Sequence, residues 1–221
     1  MVIADIERPR LLYFADAMCS WCYGFAPEMS AILKVMEGRI DLLLFSGGLR
    51  PFNKEPMTPK LREYLGATYA RISEMTGQRF AQGAMHQDDF IYDTEPASRA
   101  VVTMRTLSPG SEYQYMLEIQ RAFYAGGEDI RQPDVLADYA ETFDIPRARF
   151  LEAFASEPMR SGTLSDFQVA KKFGIDGFPT IILHRQSPKG KDDLILIAKG
   201  YGKASEIAQR LEAALALPFQ E

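Results

Sequence analysis

Two cysteines, two histidines and one tryptophan are all that the 221 residues provide of these types. So few thiols exclude a multi-disulfide framework. A closed structural zinc site needs about four ligands. Beyond the cysteines only His86 and His184 could contribute, so no metal site is expected. No segment approaches the roughly 20 consecutive apolar residues that span a bilayer as a helix. The stretch from Met1 to Pro9 lacks a basic region followed by an apolar one, so no secretory signal and a cytoplasmic location are expected. Basic residues are interspersed with acids at a net charge of −5, and no cationic stripe suggests a nucleic-acid partner. The 47% hydrophobic content is ample for a packed core.

What thiol chemistry there is lies in one place, Cys19-Ser20-Trp21-Cys22. Before it, Leu11-Leu12-Tyr13-Phe14 reads as a buried strand. After it, Phe25, Met29, Ile32, Leu33 and Met36 recur at helical spacing. A thiol at a helix N-terminus faces unpaired N–H groups and the positive end of the macrodipole, which predicts a lowered pKa. Two blander readings compete: a permanent cross-link, and a pair of inert core thiols. The first would close a very short loop, where a cross-link stabilises least. In a reducing compartment, moreover, disulfides are usually transient or catalytic. The other methionines and histidines invite plain readings. Met29, Met36, Met104 and Met116 sit at core spacing, His86 in a polar loop and His184 near a strand end.

A second motif lies far downstream. Ile175-Asp176-Gly177-Phe178-Pro179-Thr180 places a proline immediately before the apolar run Ile181-Ile182-Leu183. With strand, CxxC and helix upstream, the chain resembles the thioredoxin-like superfamily. That resemblance implies a cis-proline loop at Pro179, lying against the CxxC and offering its backbone to substrate. Pro27, inside the first helical pattern, matches a proline often found at this offset, and it is expected to bend the helix by removing one backbone bond.

The organisation between the motifs accounts for the length. Ile40 to Phe45 reads as a second strand ending at Gly47-Gly48. More than a hundred residues of helix punctuation follow. Helices are predicted from Pro59 to about Thr76, after an N-cap at Thr94, from Glu112 to Tyr124 closed by Gly126-Gly127, from Pro133 to Phe143, from Pro146 to Ala155 and from Ser165 to Phe173. Leu194 to Ile197 then pairs with the Thr180 to His184 strand as a hairpin across the polar loop from Ser187 to Asp193, and Ser205 to Leu215 is an amphipathic helix. The sum is an α/β fold, a βαβ unit and a ββα unit with a large all-helical insertion between them. It resembles the DsbA family. The anchors are Cys19-Ser20-Trp21-Cys22-Tyr23-Gly24, Gly177-Phe178-Pro179-Thr180 and Ala125-Gly126-Gly127-Glu128-Asp129-Ile130, and the pattern is most similar to the cytoplasmic FrnE-type branch. A thioredoxin-like domain is expected over 1–52 and 163–221, with a helical lid over 53–162.

The resemblance implies a thiol–disulfide oxidoreductase or isomerase, with Cys19 as nucleophile and Cys22 as resolving thiol. Ser20, Trp21, Phe178 and Pro179 would contact a protein or small-molecule disulfide. No bound cofactor is expected, glutathione entering as a co-substrate, and the surface pattern leaves a homodimer open. The chain departs from the family in two ways. No His follows the first cysteine, predicting a less oxidising couple, and Tyr13 stands where many relatives bury a carboxylate; it reads as a core residue, and no general base is assigned. The alternative is a glutathione-dependent transferase or isomerase of the kappa or 2-hydroxychromene-2-carboxylate type. Those relatives typically carry Ser at the Cys19 position and lack the second thiol. A binding module with an incidental dithiol is a third reading. The leading one requires a sulfur that a partner can reach, beside the proline turn.

Overall fold

The computed structural model describes residues 8–219. The stretch from Met1 to Glu7, on which most of the signal-sequence reading rests, lies outside them. The first strand β1 (Arg10–Ala15) is followed by α1 (Ser20–Val35) and β2 (Asp41–Ser46). Helices α2 (Pro59–Thr76), α3 (Glu95–Leu107), α4 (Glu112–Tyr124), α5 (Pro133–Glu141), α6 (Arg147–Ala155) and α7 (Glu157–Lys172) follow. The chain closes with β3 (Thr180–Gln186), β4 (Asp192–Lys199) and α8 (Ala204–Ala216).

The four strands form one mixed sheet in the order β2-β1-β3-β4. β1 runs parallel to β2, with Tyr13 opposite Leu44, and antiparallel to β3, with Tyr13 opposite Ile181. As the central strand, β1 is covered on both faces, so Leu11, Leu12, Tyr13 and Phe14 are all buried without alternation. Leu11 and Tyr13 join α1, α8 and the inserted helices in the main core. Leu12 and Phe14 face the other way, onto Ala170, Val169 and Phe173. Full burial of a side chain such as Phe14 contributes about 2–3 kcal/mol.

The predicted elements are present, with instructive differences at their ends. The helix α7 begins at Glu157 rather than Ser165 and runs through position 163. Pro158 sits in its first turn, where a missing N–H costs nothing. α5 stops at Glu141 instead of Phe143, and Asp144 takes a positive φ of 59° just beyond. Thr94 is the N-cap of α3 but makes no side-chain cap bond. Its hydroxyl accepts from the Arg50 N–H, while Asp93 Oδ1 accepts from the Glu95 N–H in its place. Pro27 lies inside α1. The carbonyl it leaves free, that of Tyr23, accepts from Gln78 Nε2 at 3.0 Å, which ties the insertion to the thioredoxin-like body.

The Gly126-Gly127 stop of α4 has a packing reason. A Cβ on Gly83 would lie 2.1 Å from the Cα of Gly127, so two lid segments cross where neither side chain could fit. The Ala84 N–H donates to the Gly127 carbonyl at 2.9 Å across this contact.

Candidate active site

Cys19 is the N-cap of α1, its extended backbone (φ −91°, ψ 115°) turning the chain from the strand into the helix. No side chain caps this helix start, and no acidic residue lies in its first turn. The first-turn N–H groups are therefore without a side-chain cap. Cys19 Sγ lies 3.8 Å from the carbonyl oxygen of Phe178, and the Phe178–Pro179 peptide is cis. The two motifs, 159 residues apart, thus meet at a single contact.

Both cysteines are free, and they lie close enough for each thiol to influence the other. Cys22 is only 1% exposed, and burial above all, then the neighbouring Cys19, pushes its thiol well above the usual range. The N–H of Asp16 opposes this rise and the Asp16 charge adds to it. Cys19 keeps 5% of its surface. Cys19 is therefore buried as well, only slightly less so than Cys22.

The loop before Cys19 is held from several sides. Asp16 is buried, and its carboxylate accepts from the N–H groups of Met18 and Leu49, both at 2.8 Å. Burial raises its pKa, while donors from Leu49, Met18, Thr94 and Gly48 oppose the rise. With so many donors directed at it, Asp16 braces the Gly47-Gly48-Leu49 turn against the Cys19 loop. Three side chains of the insertion take the carbonyls of the same loop. Tyr92 and Tyr124 both donate to the Met18 carbonyl, and Gln120 Nε2 donates to that of Asp16 at 3.3 Å.

The other residues expected at the site are brought to it. Ser20 is buried in the first turn of α1. Trp21 is half-buried, its ring 6.4 Å from that of Tyr201 and beneath the guanidinium of Arg71. The Phe178 ring lies over Gly47, where a Cβ would come within 2.2 Å of it. Tyr13 is core, its ring against Phe25 and Tyr113, and burial raises its phenol well above the ordinary value. Glu28, near the pair in sequence, is turned away to α8, accepting from Lys203, Tyr201 and the Ala204 N–H. His86 is exposed in a short turn, and His184 is buried against Asp192. Among the described residues no cluster of three or more His, Cys, Asp or Glu could hold a metal ion. Sequence reasoning missed Tyr92, Gln120 and Tyr124, whose residue types carry no motif.

The family model for the DSBA-like thioredoxin domain matches residues 10–202. This chain is a member of the DSBA-like thioredoxin family. A structure from Nitrosomonas europaea, provisionally described as a protein disulfide isomerase, is 34% identical over 95% of this chain and 98% of that one, with a TM-score of 0.86. The cytosolic disulfide reductase DsbM from Pseudomonas aeruginosa is 28% identical over 93% and 98% of the two chains, with a TM-score of 0.73. The structure of that reductase with GSH gives 25% identity over 94% and 100%, with a TM-score of 0.74. No curated protein matches the chain. Like the DSBA-like fold, the α/β body here carries a helical insertion, and none of the described helices is long and apolar enough to cross a membrane.

Proposed function

We propose that the protein is a cytoplasmic dithiol–disulfide oxidoreductase, in which Cys19 is the nucleophile and Cys22 the resolving thiol. The observation that carries this reading is the contact of Cys19 Sγ with the Phe178 carbonyl at the cis-Pro179 turn, with Cys22 close by. In the reducing direction, the Cys19 thiolate attacks one sulfur of the substrate disulfide. That bond breaks, and the leaving sulfur takes a proton from solvent. Cys22 then attacks Cys19 Sγ, loses its proton to water and releases the second substrate thiol, leaving an oxidised Cys19–Cys22 pair. Two electrons pass to the substrate. An external thiol must return them, and glutathione is the co-substrate we assign to that step. The raised pKa of Cys22 supports this order of roles, since a buried neutral thiol waits while its partner attacks.

Substrate would lie along the Phe178–Pro179 backbone, with Ser20 and Trp21 beside the reacting sulfur. Two free thiols close together favour this reading over a glutathione transferase, which needs only one catalytic side chain. Reduction of insulin disulfides with a thiol reductant tests it. Cys19→Ser should abolish turnover and Cys22→Ser should accumulate mixed disulfides, whereas full activity of Cys19→Ser would reject the proposal. Isomerisation of scrambled substrate, assayed with the same variants, decides whether the enzyme also reshuffles disulfides.

A further inference from the structure

Two guanidinium groups lie near aromatic rings that touch or belong to the Cys19-Ser20-Trp21-Cys22 loop. Arg71, exposed on α2, places its guanidinium carbon 5.7 Å from the centre of the Trp21 ring, within the CxxC itself. Arg50, exposed in the turn braced by Asp16, lies 5.8 Å from the centre of the Tyr92 ring. Tyr92 is the residue whose hydroxyl binds the carbonyl of Met18, next to Cys19. Each cation is thus one ring away from the nucleophile's own loop.

Among the described residues neither arginine has a carboxylate partner. Elsewhere the arginines that pack on aromatic rings are neutralised: Arg99 by Glu95, Arg131 by Asp129 and Arg185 by Asp193. The acids around the site are already engaged. Asp16 takes the N–H groups of Met18 and Leu49, Asp93 those of Phe52 and Glu95, Glu28 pairs with Lys203 and Asp166 with Arg105. A guanidinium lying near an aromatic face keeps N–H donors for a planar anion, in the fork geometry that matches a carboxylate.

Burial of Cys19 adds a limit on size. With 5% of Cys19 exposed, a slim flexible disulfide reaches the sulfur more readily than one held on the rigid surface of a folded protein. We infer that Arg50 and Arg71 are specificity-determining residues that select a low-molecular-weight disulfide bearing carboxylates, each guanidinium binding one carboxylate while Cys19 attacks the sulfur between them. This rests on the oxidoreductase reading above and follows the same two-electron exchange, with two equivalents of the carboxylate-bearing thiol as product.

The test compares three probes at low ionic strength, with the neutral dithiol dithiothreitol in place of glutathione to return the two electrons to the Cys19–Cys22 pair and the uncatalysed rate subtracted: glutathione disulfide, which is anionic, hydroxyethyl disulfide, which is neutral, and cystamine, which is cationic. In the wild-type protein kcat/KM should fall in that order. The ratio for glutathione disulfide over hydroxyethyl disulfide should drop about fivefold in Arg71→Gln and again in Arg50→Gln, mainly through KM, with added salt acting in the same direction. Arg71→Lys should restore part of the preference through its charge. Equal ratios in the wild type and the double variant would overturn the inference, as would an equal loss on all three probes, which marks a structural role. Activity surviving Cys19→Ser, or a wild type inert toward all three probes, would instead bring down the underlying oxidoreductase reading.

Discussion

The hydroxyl of Tyr124 donates to the carbonyl of Met18 across 106 residues of chain, and Tyr92 reaches the same oxygen. The insertion is therefore bonded directly to the backbone that leads into Cys19. Either tyrosine alone keeps that buried carbonyl satisfied, so Tyr92→Phe and Tyr124→Phe should each cost about 1 kcal/mol. The double variant leaves it without a hydroxyl partner and should lose more than the sum, about 3 kcal/mol. Urea denaturation of the reduced protein measures all three; strict additivity would show that the shared acceptor is unimportant.

Gly47 gives a second test, through shape. An added methyl there meets the Phe178 ring at 2.2 Å, so Gly47→Ala should destabilise by about 1–3 kcal/mol through overpacking. Phe178→Ala in the same chain removes the obstacle. The double variant should then be more stable than the two single losses predict, a coupling readable in denaturant midpoints.

Asp16 should separate global stability from thiol chemistry. Asp16→Asn presents an amide to N–H donors that now reach a carboxylate, and about 2–3 kcal/mol should be lost. The same change removes a charge that raises the Cys22 thiol. In a Cys19→Ser background, adding Asp16→Asn should therefore move the thiolate absorbance of Cys22 to lower pH. An unmoved or higher midpoint would contradict the assigned effect.

Alkaline pH should unfold the reduced protein cooperatively. Burial first of all pushes Cys22, Tyr92 and Tyr124 well above their usual values, and Tyr113 up to about 12. Unfolded, these groups ionise near pH 8.5 for Cys and 10 for Tyr, roughly. Raised pKa values in the native state mean that their contribution is complete below the unfolded values and is lost as pH climbs toward the folded ones. Tyrosinate absorbance of the buried set should appear together with loss of far-ultraviolet dichroism, starting above roughly pH 8.5. Cys22→Ala should delay the onset toward roughly pH 10. Buried tyrosines titrating in a chain that keeps its helical signal would refute this account.

The rare residue types made the centre of the site legible before the fold was seen. Two cysteines and one proline before a strand can be placed by chemistry, and Cys19 does meet the loop of Pro179. Helices with local punctuation were equally plain. α2 and α4 have the predicted limits, Pro59–Thr76 and Glu112–Tyr124, because Pro59 and Gly126-Gly127 act within a turn of the ends. The start of α7 was hidden because Ser156 both closes α6 and opens α7, so no loop separates them. The narrow exposure of Cys19 and the grip of Tyr92, Gln120 and Tyr124 on its loop were not legible. They depend on how lid helices distant in sequence dock, and periodicity reports only that such residues are buried.

Pro27 leaves one oxygen of α1 unclaimed, and Gln78 has taken it. A residue with its own amide at that position would contend with Gln78 for the same acceptor. Continuity of the active-site helix and attachment of the lid therefore compete at this single point, and the imperfection in the helix serves as the latch.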